Sequence, residues 1–242
     1  EKSSLLWLEE NAPKGARIAY DPWLYGAENV EKLKAALHRI EGEAVPLTRN
    51  FVDLVWKDQP APPMALVVPH DILYAGVPSA EKRQQIAATL KKKKVAAAIL
   101  TDPSSVAWLL NVRGGDVDYT PLPLSRAILS DGGIVQWFID ARKVTEPLRA
   151  HLDVGVTVLP PSGFMGALER LAHTNRSVLV DPSQTPSQII DILKTNGAKI
   201  ELSEDPCALP RAIKNAGELD GARAAQARDC AAVANFLAWL DA

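Results

Sequence analysis

Short apolar runs and amphipathic helical segments alternate along the whole of this 242-residue chain. Such alternation leaves few architectures, because strands need a sheet and the helices between them must cover it. Apolar runs at 16–20, 44–47, 95–100, 154–159, 177–180 and 198–202 read as strands, and 65–68 is a further short apolar run. Segments 27–40, 80–94, 103–110, 145–151, 162–173 and 186–195 read as helices, and a short helical turn is expected at 52–56. In the first helix Val30, Leu33, Leu37 and Ile40 share one face, and Ser79 is the expected N-cap of the second. The segments 125–130 and 134–140, joined by Asp131-Gly132-Gly133, form an antiparallel hairpin, since Asp-Gly and Gly-Gly supply the positive φ of tight turns. The expected fold is α/β with a mixed sheet.

One stretch resembles another. Residues 17–55 run strand, Asp21-Pro22, amphipathic helix, strand and short apolar turn. Residues 177–213 repeat that order, with Asp181-Pro182 in the matching place and Gly197 at the helix end. The repetition implies two related units, the first represented by its second half. A stiff Gln59-Pro60-Ala61-Pro62-Pro63 segment separates the first unit from the rest of the chain.

Composition narrows the function. With 27 Lys+Arg against 29 Asp+Glu, a net charge of −2 offers no electrostatic footprint for nucleic acid. No apolar run approaches the roughly 20 residues of a membrane span, and the first residues lack a signal-peptide pattern. A soluble, cytoplasmic protein is expected. Cys207 and Cys230 are too few for a disulfide framework and are expected to be buried and inert. Glu1 stands where an initiator Met would, and residues 218–240 form a long helix whose Val233, Phe236, Leu237 and Leu240 make an apolar stripe with nothing after Ala242 to cover it. The chain is therefore expected to be a piece that stops inside an element.

Motifs that carry chemistry are missing. There is no G-x-x-x-x-G-K-[ST], H-E-x-x-H or G-x-S-x-G, and no strand leads into G-x-G-x-x-G. His38, His151 and His173 fall near helix C-termini, where a cation is modestly favoured, and with His70 they suggest no ligand set. Lys91–Lys94 reads as a solvated helix end. The informative segment is Asn111-Val-Arg-Gly-Gly-Asp-Val-Asp-Tyr-Thr-Pro121. Gly114-Gly115 permit close backbone approach, and an Arg113–Asp116 fork could lock the loop or leave Arg113 to contact a carboxylate or a partner subunit.

Residues 102–121, from Asp102-Pro-Ser-Ser-Val-Ala-Trp through Asn111-Val-Arg-Gly-Gly-Asp to Pro121, resemble the middle-domain signature of three-domain, cytosolic-type Xaa-Pro aminopeptidases (aminopeptidase P). Asn50-Phe-Val-Asp-Leu-Val-Trp56, Trp137-Phe-Ile-Asp140 and the stretch from Ala212-Ile-Lys-Asn215 through Glu218, Arg223 and Asp229 agree in order, so the resemblance covers nearly the whole chain. It implies creatinase-type N-terminal domains with mixed sheets: residues 1–73 as the C-terminal half of a first, 74–210 as a complete second, and 211–242 as the first helix of a pita-bread catalytic domain. The implied parent removes the N-terminal residue from peptides with proline at position two, using two divalent cations, usually manganese, and associates as a homodimer. No catalytic or metal-ligating residue transfers to this chain. Its implied role is to limit access and support dimerisation, with Arg113, Asp116 and Tyr119 as residues facing the substrate mouth or a partner. A prolidase- or creatinase-like hydrolase, or a metal-free pita-bread module binding peptides or histones, are the alternatives.

Overall fold

In the computed structural model, which describes residues 2–241, the chain forms α1 (Ser4–Asn11), β1 (Arg17–Tyr20), α2 (Ala27–His38), β2 (Glu43–Pro46) and α3 (Phe51–Val55). There follow β3 (Val68–Pro69), α4 (Ile72–Ala75), α5 (Ser79–Lys92), β4 (Val95–Leu100), α6 (Pro103–Leu110) and β5 (Val112–Arg113). Next come β6 (Arg126–Ser130), β7 (Val135–Phe138), α7 (Glu146–His151), β8 (Val156–Leu159), α8 (Phe164–Ala172) and β9 (Ser177–Val180). The last elements are α9 (Ser187–Thr195), β10 (Lys199–Leu202), α10 (Ala208–Ala212) and α11 (Ala216–Leu240).

The central sheet has six strands in the order β10-β9-β4-β6-β7-β8. Strands β10, β9 and β4 run parallel, β6 is antiparallel to both neighbours, and β8 is parallel to β7. This is the mixed sheet expected from alternating elements with one hairpin, whose turn holds Gly133 at φ 81°. Side chains divide the sheet by the two-residue period of a strand. Ala98, Leu100, Leu129 and Leu179 face α5, α6 and α7, whereas Ala97, Ile99, Val178 and Val180 face α8 and α9. With both faces covered, β4 is apolar at every position and buried throughout.

Two expectations need correction. Ser79 is the first residue of α5, not its cap: the cap is Pro78, and the Ser79 hydroxyl donates to Leu109 O at 2.8 Å instead. Cys207 is buried but Cys230 is exposed, because α11 buries none of its residues. Ahead of the first expected strand, Ser4–Asn11 forms the amphipathic helix α1, which packs on α2 through Leu5 and Leu8.

That helix extends the internal repeat. α1-β1-α2-β2-α3 and α8-β9-α9-β10-α10 share one element order, and β1 pairs parallel with β2 as β9 does with β10. Asp21 Oδ1 accepts from Trp23 N and Asp181 Oδ1 from Ser183 N, both at 2.8 Å. The two units meet through these turns. Ala27 N donates to Thr185 O (3.2 Å) and, reciprocally, Ser187 N to Tyr25 O (2.8 Å). Glu28 N donates to Pro182 O (2.9 Å) and Gln188 N to Pro22 O (3.0 Å). Equivalent atoms exchange equivalent bonds around the Gly26–Pro186 bridge, which makes the seam a local two-fold. Trp23 and Ala27 complete it by packing on the apolar cluster of the second unit.

Candidate functional site

Helix α11 leaves the body at a cleft of about 600 Å³ whose walls include His70, Tyr74, Trp108, Arg113, Arg211, Glu218 and Arg228. Its floor is shaped by the end of α6. Asn111 takes the left-handed conformation (φ 51°) that stops this helix, and its side chain donates to Val77 O at 2.9 Å. The chain then enters β5, paired with β3, which puts Arg113 opposite Val68. The far wall is the foot of α11, fixed by a reciprocal cap between Asn215 and Glu218 at 3.0 Å each way. Asn215 Nδ2 also donates to Ala75 O, so one side chain ties α4 to α11. Gly76 is required beside it: φ is 69°, and a Cβ would meet Asn215 Oδ1 at 2.1 Å.

The cleft carries excess positive charge. Arg113 makes no salt bridge among the described residues, and its Nη1 donates to Val112 O at 2.9 Å. Burial lowers its pKa, opposed by Glu218. Arg211 pairs with Asp102 at 2.7 Å. Behind the cleft Lys82, 3% exposed, donates to Asn111 Oδ1 at 2.7 Å and to Trp108 O, with its ammonium 4.6 Å from the Trp108 ring centroid. Burial brings the Lys82 pKa down to about 8. His70 is also lowered, first by burial and then by Arg113 and Lys82. A cleft that presents the Arg113 guanidinium without a carboxylate partner among the described residues can hold a carboxylate or another anion.

The three residues singled out in the sequence are not brought together. Arg113 lines the cleft, while Asp116 and Tyr119 do not. The expected Arg113–Asp116 fork does not form: the Asp116 side chain is fully buried against Lys143 and accepts from Leu124 N at 2.7 Å. The cause is the backbone. Gly114 passes so close to Pro123 that a Cβ would meet its nitrogen at 2.7 Å, and this crossing sends Asp116 away from the cleft. Tyr119 stands fully exposed in the loop with φ 59°. Among the described residues, no group of three or more His, Cys, Asp or Glu is arranged to hold a metal ion.

The sequence profile of the family described as creatinase/prolidase N-terminal domain matches residues 58–218. This chain belongs to that family. Within it, the chain is a homologue of Xaa-Pro aminopeptidase P. It is 32% identical over 245 residues to a probable Xaa-Pro aminopeptidase P of Neosartorya fischeri, and 29% identical over 265 residues to aminopeptidase P2 of Arabidopsis thaliana. In each case 97% of this chain matches 37% of the relative, so the chain spans little more than a third of those proteins. The crystal structure of the X-prolyl aminopeptidase from Caenorhabditis elegans, described as a cytosolic enzyme with a di-nuclear active site, superposes with a TM-score of 0.88 at 28% identity. That match covers 100% of this chain and 40% of the nematode enzyme.

Within this creatinase-type fold the sequence reading missed Lys82 and Lys143, both buried. Lys82 had a signal. It precedes Ile86 and Leu90 by one and two helical repeats of four, on the face those residues bury. Lys143 had none, since its partner lies 27 residues away. No helix among the described residues is long and apolar enough to cross a membrane.

Proposed function

We propose that this chain is the non-catalytic N-terminal and middle region of a metal-dependent, cytoplasmic aminopeptidase that removes the first residue from peptides with proline at position two. One observation carries the reading: the whole chain superposes on part of an X-prolyl aminopeptidase at a TM-score of 0.88. In this reading residues 1–73 are the second half of one creatinase-type domain and 74–210 a complete second one. Residues 211–242 open the pita-bread catalytic domain, where two divalent cations would be held. The described residues do not form such a centre themselves.

The region's work is to wall the active site, limit access to short peptides and support a homodimer. Arg113 is the contact residue, because its guanidinium lines the cleft without a carboxylate partner among the described residues. Asp116 acts through the loop it anchors to Lys143, and exposed Tyr119 faces a partner. The test is full-length protein with Arg-Pro-Pro, with and without manganese. Free Arg released only with the metal is the expected result. No release under either condition overturns the reading.

A further inference from the structure

Arg126 opens β6, at the end of the six-stranded sheet where β4, β7 and β8 finish. Its guanidinium is half-buried beside the seam, with its carbon over both the Trp23 and the Phe164 rings, 5.7 Å from each centroid. Ring faces attract the positive charge but leave the planar fork of N–H donors unused. Among the described residues no carboxylate, carbonyl or hydroxyl takes those donors, and burial is what lowers the Arg126 pKa. Arg83 and Arg211, also shielded, each hold a carboxylate, from Asp153 and Asp102. A desolvated guanidinium with an empty fork stands out, because shielded polar groups otherwise find partners.

Arg126 lines a cavity of about 270 Å³. The other walls are largely apolar, from Pro103, Leu124, Phe138, Pro161 and Phe164, with Phe138 edge-on to Phe164 at 5.0 Å between ring centroids. Two hydroxyls complete the lining, and both protons are committed. Thr101 Oγ1 donates to Gln184 O at 3.2 Å, and Ser125 Oγ donates to Pro123 O at 3.2 Å while accepting from Trp137 Nε1 at 2.9 Å. Among the described residues, Arg126 is therefore the one charged group of this lining, and no acid faces it there. The cavity shares no lining residue with the cleft at the foot of α11. It lies outside the carboxyl ends of parallel strands, the place where open α/β sheets take their ligands.

We propose that this cavity binds a small monocarboxylate with a compact apolar body, its carboxylate in the Arg126 fork and its body against Phe138 and Phe164. The walls select that chemistry. Guanidinium and carboxylate match as a bidentate pair, and the pair strengthens where water is excluded. One cation among apolar walls compensates one negative charge, so a phosphate dianion would leave its second charge desolvated and unpaired. An amide of the same shape offers the fork a single neutral acceptor oxygen. A volume of about 270 Å³ is below that of drug-sized pockets and suits a branched acid of a few carbons. The site is independent of the aminopeptidase reading, since it is built by residues of the second unit with Trp23 beside them.

A saturation-transfer NMR titration of the full-length protein with 3-methylbutanoate tests the site. Binding should saturate with a Kd below about 10 mM. 3-Methylbutanamide and inorganic phosphate should each compete at least about tenfold more weakly than the acid. Arg126→Gln should weaken binding at least about tenfold, the loss expected when a charged hydrogen-bond partner is removed. Leu124→Trp is the second variant: it fills the cavity from an exposed position, leaves Arg126 in place and should weaken binding as much. Absence of saturable binding overturns the proposal. So does an amide or phosphate that competes as well as the acid, which would mean a general polar or anionic patch. Wild-type affinity in either variant overturns it too.

Discussion

Replacing Lys143 by Met strands the buried Asp116 carboxylate, whose Oδ1 already has no hydrogen-bond partner. Removing one member of such a pair costs about 3–5 kcal/mol. Urea unfolding of Lys143→Met should show a loss of that size, and Asp116→Leu in the same chain should restore most of it. A loss below about 1 kcal/mol would mean the pair behaves like an exposed one. Lys82 supplies a pH signature. Its folded pKa of about 8 lies below the ordinary lysine value of 10.5, so the unfolded chain holds more protons between those limits. Stability therefore rises as pH climbs from about 8 towards 10.5 and is independent of this group below that window. Denaturation of wild type and Lys82→Met at pH values of about 7 and about 10 should show the difference moving in favour of wild type at the higher pH. An unchanged difference refutes the assignment. For single residues, legibility followed locality. The Lys82 position could be read from helical spacing, whereas the Lys143–Asp116 pairing, made across a fold-back, could not.

Among the elements, the repeat and its seam organise the chain. The strands and longer helices were legible because each has its own periodicity: β4 is a continuous apolar run and α2 buries Val30, Leu33 and Leu37 along one stripe. Helix α1 was not read as a helix because Leu5 and Leu8 are only half-buried and neighbouring Leu6 and Trp7 stay exposed, which blurs the stripe. Helices α4 and α10 and the two-residue strands β3 and β5 are too short to carry a pattern. The seam was half legible. The paired Asp-Pro turns announced equivalent units, but their reciprocal docking joins residues about 160 apart in the chain, which no local pattern encodes. Gly26→Val tests it, since the new Cβ would come within 2.8 Å of Ser183 O. Amides of Ala27, Glu28, Ser187 and Gln188 should lose protection together while those of β4 and β9 keep theirs. Continued protection at the four seam amides would show that this contact does not hold the units together.

Over the described residues, a six-stranded mixed-sheet unit carries a second, smaller unit on its seam and presents α11 with Val233, Phe236, Leu237 and Leu240 exposed. The cleft at the foot of α11 offers free positive charge. It was legible in the sequence only through Arg113, because Arg211, Arg228 and Glu218 reach it from elements distant in the chain. In the proposed function, this fold frames an Xaa-Pro aminopeptidase site and contributes Arg113 to its approach. The decisive experiment is the kinetics of full-length wild type and Arg113→Ala on Arg-Pro-Pro with manganese, together with metal content and oligomeric state. Manganese-dependent release of Arg by wild type is expected, and in the variant a raised KM or weakened dimer with metal content unchanged. Absence of Arg release by the wild type, or a variant identical to it in both KM and assembly, would contradict that function.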